Sequence, residues 1–200
     1  MEPEETAYVK VQGNEVFFHA DVHEDSIVEL ISKMRALVKN LRKTYIDLDI
    51  DEDPAVTLYI KSDGGDLHSG FCAMDHIRNL RARVTTVADG LCASAATLLL
   101  LAGRNRRIHE NSYVLIHQIS ADGVWGKYEE LKDHMQNFTK DMERMQKIYE
   151  DETTIPARKL KKLLKKDLYL DSDQCLHYGL VHDIIKPPSW ARGPPESAQE

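Results

Sequence analysis

From Leu91 to Gly103 the chain carries no charged residue, and no other stretch constrains the fold as much. A helix that is apolar on every side has to be buried on every side, so this segment belongs at the centre of a core. It follows a strand, Arg83–Ala88, and a small-residue turn at Asp89-Gly90. One hydroxyl, Ser94, is thereby expected at the first turn of a core helix. Unpaired backbone N–H groups and the positive end of the helix dipole favour developing negative charge there. A serine nucleophile needs that setting, because its attack creates an oxyanion that N–H donors must stabilise. Taken alone, such a serine reads as an N-cap or a small packing residue. Its companions along the chain carry the argument further.

The order of elements around this segment is strand, turn, helix, repeated. Tyr8–Val11 alternates as an edge strand and Glu15–His19 reads as a first core strand. Asp25 or Ser26 is placed to cap a helix whose apolar residues, from Ile27 through Leu41, step at helical period. An acidic connector, Asp47 to Asp53, follows. Its carboxylates alternate, but the order lacks the central Gly and terminal Glu of a calcium loop, so it reads as solvated. Val56–Ile60 is a β-prone strand running into the turn Ser62-Asp-Gly64-Gly65, then a helix from Ser69 to Leu80. Tyr113–Ile116 is a further strand, ending at His117. Such alternation describes βαβ units on a parallel sheet, where functional groups gather at the carboxyl ends of strands. Gly64-Gly65, Ser94 and His117 each fall just after a separate strand.

Beyond a Gly-punctuated segment, Ala121–Gly126, an amphipathic helix is expected over 127–150, with Leu131, Met135, Phe138, Met142, Met145 and Tyr149 on one stripe. A stripe that long either packs on its own domain or meets a partner. A shorter helix covers Ile155–Lys166, and Asp171-Ser-Asp-Gln174 is a capping box for a helix ending at Tyr178-Gly179. Leu180–Ile185 is the last strand. The chain thus divides into a short N-terminal segment (1–14), one domain (15–185) and a disordered tail rich in Pro and small polar residues (186–200).

A net charge of −7 and the absence of a basic stripe interleaved with aromatics argue against nucleic acid as partner. Arg104-Asn-Arg106-Arg107 reads as a solvated turn, and the lysines of 159–166 as an exposed helix face. No apolar run is long enough to cross a bilayer. The acidic N-terminus is not a signal peptide. Cys72, Cys92 and Cys175 have no metal-type spacing and read as buried free thiols. The expected location is the cytoplasm, and no cofactor or metal is required.

Ser94, His117 and an aspartate from 167, 171 or 173 would supply a nucleophile, a base and a group that orients the base. The other eight of the nine histidines lack that placement and read as structural or surface groups. Gly65, after a strand, lets backbone N–H approach a substrate closely, and with the N–H of Ala95 it would form a two-donor oxyanion site.

Ser62-Asp-Gly-Gly65, Gly90-x-x-Ala-Ser94 with its Leu-rich continuation, and Asn111-Ser-x-x-x-Ile-His117-Gln118 resemble the proteolytic subunit of the Clp protease. Gly123-x-x-Gly126, Asp167-x-Tyr-Leu and Tyr178-Gly-Leu-Val181 continue the likeness in order, from about Glu15 to Ile185. The resemblance implies an α/β, crotonase-like fold of repeated ββα units with a protruding handle helix at about 127–150. It implies Ser94 as nucleophile, His117 as general base and then acid, Asp167 as orienting carboxylate, and Gly65 and Ala95 as oxyanion donors. It also implies two stacked heptameric rings, degrading unfolded polypeptides fed by an AAA+ ATPase unfoldase, with substrate lying extended beside Gly123–Gly126. The sequence departs from the family at Asp63 (usually Pro), at Ala95-Ala96 (usually Met-Gly), in a short segment before Glu15, and in an apparent insertion at 39–54. Alternative expectations are a non-catalytic ring subunit, or a restricted protease, such as one maturing a viral shell, that works without an ATPase. A crotonase-type acyl-CoA enzyme shares the fold, but no CoA-binding signature stands out.

Overall fold

Val16 and Phe18 in one strand, and Leu58 and Ile60 in the next, are each 0 % exposed, because strict alternation sends them to the same face of the sheet. β2 (Glu15–His19) and β3 (Ala55–Ser62) carry these residues and pair in parallel. The computed structural model describes residues 9–120 and 123–191. Its main sheet runs β1 (Val9–Gln12), β2, β3, β4 (Arg83–Ala93), β5 (Asn105–His109), β8 (Asp183–Ile185), all parallel except for β1 at one edge. β6 (Tyr113–Leu115) pairs in parallel with the second half of β4, and β7 (Tyr169–Leu170) lies antiparallel on β6.

Helix α1 (Glu24–Asp47) buries Ile27, Leu30, Met34 and Val38. Its cap is His23, not Asp25 or Ser26. The Ser26 N–H donates to His23 Nδ1, and the Ser26 hydroxyl oxygen accepts from the His23 N–H. The helix runs on to Asp47, so much of the stretch 39–54 is helical and the acidic connector is short. Helix α2 (Leu67–Arg78) packs between α1 and α3 (Ala96–Leu101).

Two expectations around the core segment need correction. Asp89-Gly90 is not a turn: β4 passes through it, with the register shifting where the strand exchanges one neighbour for another. Thr85–Ala88 pair with β5, whereas Leu91–Ala93 pair with β6. The strand therefore takes up the first part of the charge-free run, and α3 keeps six residues, all buried. The run is buried on every side, part of it as strand.

The second correction concerns Arg104–Arg107. Rather than a solvated turn, these residues enter β5, an interior strand between β4 and β8. Arg106 is only 6 % exposed. Its guanidinium donates to the carbonyls of Glu152 (2.8 Å) and Gly179 (3.1 Å) and faces the Glu152 carboxylate at 3.4 Å. A buried charge is tolerated when it is paired in this way. Of the cysteines, Cys92 and Cys175 are buried, but Cys72 is exposed. Burial pushes the Cys175 thiol up to about 12.

Helix α4 (Tyr128–Glu152) extends from this body. Only Met145 and Tyr149 are buried, both near its C-terminal end, while Met135 is 62 % exposed. Helix α5 (Ala157–Leu163) packs against α4, and α6 (Ser172–His177) against β6 and β8, with the expected capping box from Asp171 and Gln174. Residues 123–127 form neither strand nor helix, and Ala121 and Asp122 lie outside the described residues. The expected tail begins with a single 3-10 turn, Ser189–Ala191; from 192 on it lies outside them too. No helix among the described residues is long and apolar enough to cross a membrane.

Candidate active site

Leu115, in β6, fixes the relative positions of the chemistry-bearing residues. It pairs with Ala93 on one side and Tyr169 on the other. Ser94 comes immediately after Ala93, His117 two residues after Leu115, and Asp167 two residues before Tyr169. Because β7 is antiparallel to β6, the residue entering β7 lies at the same end of the sheet as the residues leaving β4 and β6. The Ser94 N–H donates to the Leu115 carbonyl at 2.8 Å, which locks the first of these relationships.

Ser94 adopts φ +54°, an uncommon left-handed conformation for a non-glycine residue. It stands at the junction of β4 and α3, ahead of the helix and not within its first turn. The cost of such a conformation is of order 1–3 kcal/mol. Gly64 lies against it: a Cβ there would come 2.5 Å from the Ser94 Cβ and 2.8 Å from the Ala93 carbonyl oxygen. Gly64 also holds φ +101°, so both space and conformation exclude a side chain. The next residue, Gly65, is clamped by Val22, whose N–H donates to the Gly64 carbonyl and whose carbonyl accepts from the Asp66 N–H, both at 2.7 Å. Among the described residues, the N–H groups of Gly65 and Ala95 make no backbone hydrogen bond.

Gly65, Ser94, Ala95 and His117 line one cavity of about 230 Å³, together with Leu67, His68, Phe138, Asp141 and Met145. Larger cavities lie elsewhere, including one of about 590 Å³ beside Arg78 and Arg106, but none of these is lined by Ser94 or His117. The two residues after His117 are pinned by their backbone N–H groups. Gln118 N–H donates to the Leu164 carbonyl (2.7 Å) and Ile119 N–H to the Met142 sulfur (3.2 Å).

His117 Nδ1 lies 3.4 Å from Asp167 Oδ1, longer than the roughly 2.7–2.9 Å of a charge-assisted hydrogen bond. The ring is largely shielded, with 22 % of the side chain exposed, whereas Asp167 is 79 % exposed. Of the three aspartates the sequence left open, Asp167 is the one beside the imidazole. Asp171 is committed to the Gln174 N–H at 2.8 Å, and Asp173 sits in the first turn of α6. The Ser94 hydroxyl makes no hydrogen bond among the described residues, to His117 or to any other group.

A family model described as Clp protease matches residues 11–188. The chain belongs to the Clp protease family. It is 33 % identical over 150 residues to an ATP-dependent Clp protease proteolytic subunit 2 from Treponema denticola, covering 74 % of each chain. A subunit of the same description from Treponema pallidum is 28 % identical over 177 residues, covering 87 % of this chain and 88 % of that one. Among solved structures, a mutant of ClpP1 from Listeria monocytogenes superposes with a TM-score of 0.73 at 22 % identity, over 88 % of this chain and 92 % of that one. That likeness establishes the Clp-type α/β fold expected from the motifs. Sequence reasoning did not single out His68 and Asp141, which meet across the cavity. Their pairing is visible only once α2 and α4 are packed together.

Proposed function

We propose that this Clp-family protein is a serine endopeptidase in which Ser94, His117 and Asp167 act as nucleophile, base and orienting group. The observation that carries the reading is the convergence of Ser94 and His117 on one cavity, with the Asp167 carboxylate at His117 Nδ1. With Nδ1–H directed at Asp167, Nε2 is left as the acceptor that a serine hydroxyl needs. Ser94 Oγ attacks the peptide carbonyl carbon and its proton passes to Nε2. The N–H groups of Gly65 and Ala95 stabilise the resulting oxyanion. Collapse breaks the C–N bond as Nε2 returns the proton to the departing amine. Water then adds to the acyl-enzyme, giving a proton to Nε2, and the carboxylic product leaves as Ser94 is reprotonated.

The open hydrogen bond at Ser94 and the loose contact at Asp167 fit a subunit whose site tightens on assembly or substrate binding, as catalytic contacts in unliganded enzymes commonly do. Assembly is favoured by α4, most of which finds no cover within its own chain. Large exposed apolar side chains such as Met135 and Tyr128 mark such a face as an interface. In this reading the protein forms stacked rings of identical subunits in the cytoplasm and cleaves unfolded chains delivered by an AAA+ ATPase, in line with the ATP-dependent relatives it resembles.

The test is hydrolysis of an unfolded protein and of short fluorogenic peptides by the assembled wild type and by Ser94→Ala. Cleavage by the wild type and its loss in the variant are expected. A well-folded ring that cleaves neither substrate would identify a non-catalytic subunit. Cleavage of peptides with no response to any unfoldase would point to a restricted protease acting alone.

A further inference from the structure

The cavity beside Ser94 has an unusual charge pattern. Among the described residues its carboxylates belong to Asp66 and Asp141, and no described Lys or Arg lines it. Asp66 is already engaged, accepting the Ser69 N–H at 2.6 Å as the cap of α2. Asp141, projecting from α4, is only 23 % exposed, and among the described residues its ion-pair partner is His68 at 3.4 Å. That histidine is 71 % exposed, so it can swing away into water at little cost. Leu67, Ile119, Phe138 and Met145 make the apolar part of the lining, beside the polar Gln118 and Ser120. Asp141 and His68 also border a second cavity, and Lys140, Arg144 and Lys147 line that one and not the cavity beside Ser94.

A cavity that offers apolar side chains together with a shielded carboxylate suits a side chain with an apolar stem and a cationic head, which is the description of lysine and arginine. Resting on the peptidase reading above, we infer that Asp141 is a specificity-determining residue. It selects a basic side chain on the acyl side of the bond cleaved at Ser94, with His68 as a resident substitute cation that the substrate displaces. Removing the charge should act on the arginine substrate and not on a leucine one, since only the former brings a cation to pair with Asp141.

The experiment uses the assembled full chain and fluorogenic peptides identical except for Arg, Leu or Glu at the residue donating the cleaved carbonyl. For the wild type, kcat/KM with Arg should exceed that with Leu about tenfold, a difference of roughly 1.4 kcal/mol. Asp141→Asn should lower the Arg-to-Leu ratio about tenfold, Asp141→Lys should turn the preference towards Glu, and His68→Gln should raise the Arg-to-Leu ratio. A wild-type preference for Leu, or an Arg-to-Leu ratio that Asp141→Asn leaves unmoved, would overturn the inference. If in that case a fluorophosphonate still labels Ser94, the peptidase reading survives. If the wild type neither cleaves any peptide nor is labelled, both fall together.

Discussion

The Tyr149 hydroxyl of helix α4 lies 2.5 Å from the Thr97 hydroxyl of α3. Thr97 in turn donates to the Ser94 carbonyl at 2.6 Å, so Tyr149 is the donor to Thr97 in a chain of two hydrogen bonds. This chain ties the buried end of the projecting helix to the backbone of Ser94. Tyr149 is only 1 % exposed, and burial drives its hydroxyl well above the ordinary phenol range, so it remains a neutral donor.

Breaking the chain from its two ends should have unequal effects. Tyr149→Phe removes a donor and leaves Thr97 satisfied on Ser94, costing about 1 kcal/mol. Thr97→Val strands the Tyr149 hydroxyl without a partner and should cost about 1–3 kcal/mol. Urea denaturation should place the midpoint of Thr97→Val below that of Tyr149→Phe, with the double variant close to Thr97→Val or above it. Equal midpoints for the two single variants would show that the hydroxyl pair does not couple the helices.

Gly64→Ala should damage both stability and activity. The new methyl group would occupy space held by Ser94 and would be forced into a left-handed conformation. The expected stability loss is about 1–3 kcal/mol. Displacing Ser94 by even a fraction of an ångström should lower kcat/KM on the order of 10²-fold. Substitution at Gly123, where φ is +66° but the surrounding space is open, should cost stability through conformation alone. Calorimetry and a peptide assay on the two variants separate these effects.

Two titrating groups should give the stability curve its shape in acid. Burial alone would raise the Asp66 carboxyl, but its hydrogen bonds with Ser69 and the neighbouring His68 outweigh this and hold it below the usual range. Its contribution is therefore complete above about pH 3.9, the unfolded value, and is lost as pH falls through the lower folded value. His182 is lowered by burial and by the Arg106 charge beside it. Stability linked to it is complete above about pH 6.5 and declines as pH falls towards its folded value. Urea midpoints across pH should thus show His182→Gln flattening the slope below neutrality. The difference between wild type and Asp66→Asn should persist to about pH 4 and shrink only below it. A His182→Gln profile parallel to that of the wild type would contradict the assignment.

How much of this was legible in the sequence differs from element to element. Alternation at Glu15–His19 and Val56–Ile60 gave the central strands, because one face of each is fully buried and tolerates only apolar side chains. Ser94, His117 and Gly65 were legible as candidates because strand ends in a parallel sheet carry them to one side. β5 was hidden by its own arginines. Arg106 is buried, yet its guanidinium is met by carbonyls from α4 and from Gly179, partners distant in sequence that no local pattern reveals. Asp89-Gly90 looked like a turn because its residues favour turns, whereas the sheet uses that point to divide β4 between two neighbours. The choice of Asp167 over Asp171 and Asp173 could not come from residue type. The likeness to the family pointed to Asp167, and the antiparallel pairing of Leu115 with Tyr169 is what brings that residue beside His117. The partnership of His68 with Asp141 depends on α4 crossing α2, and nothing in either helix alone announces it.

The most direct test of the account is the intact mass of the assembled protein after exposure to a fluorophosphonate. The account predicts one adduct per subunit, mapped by peptide sequencing to Ser94, absent from Ser94→Ala and formed much more slowly in His117→Gln. An assembled, folded wild type that gains no adduct, or gains one at a residue other than Ser94, would contradict it.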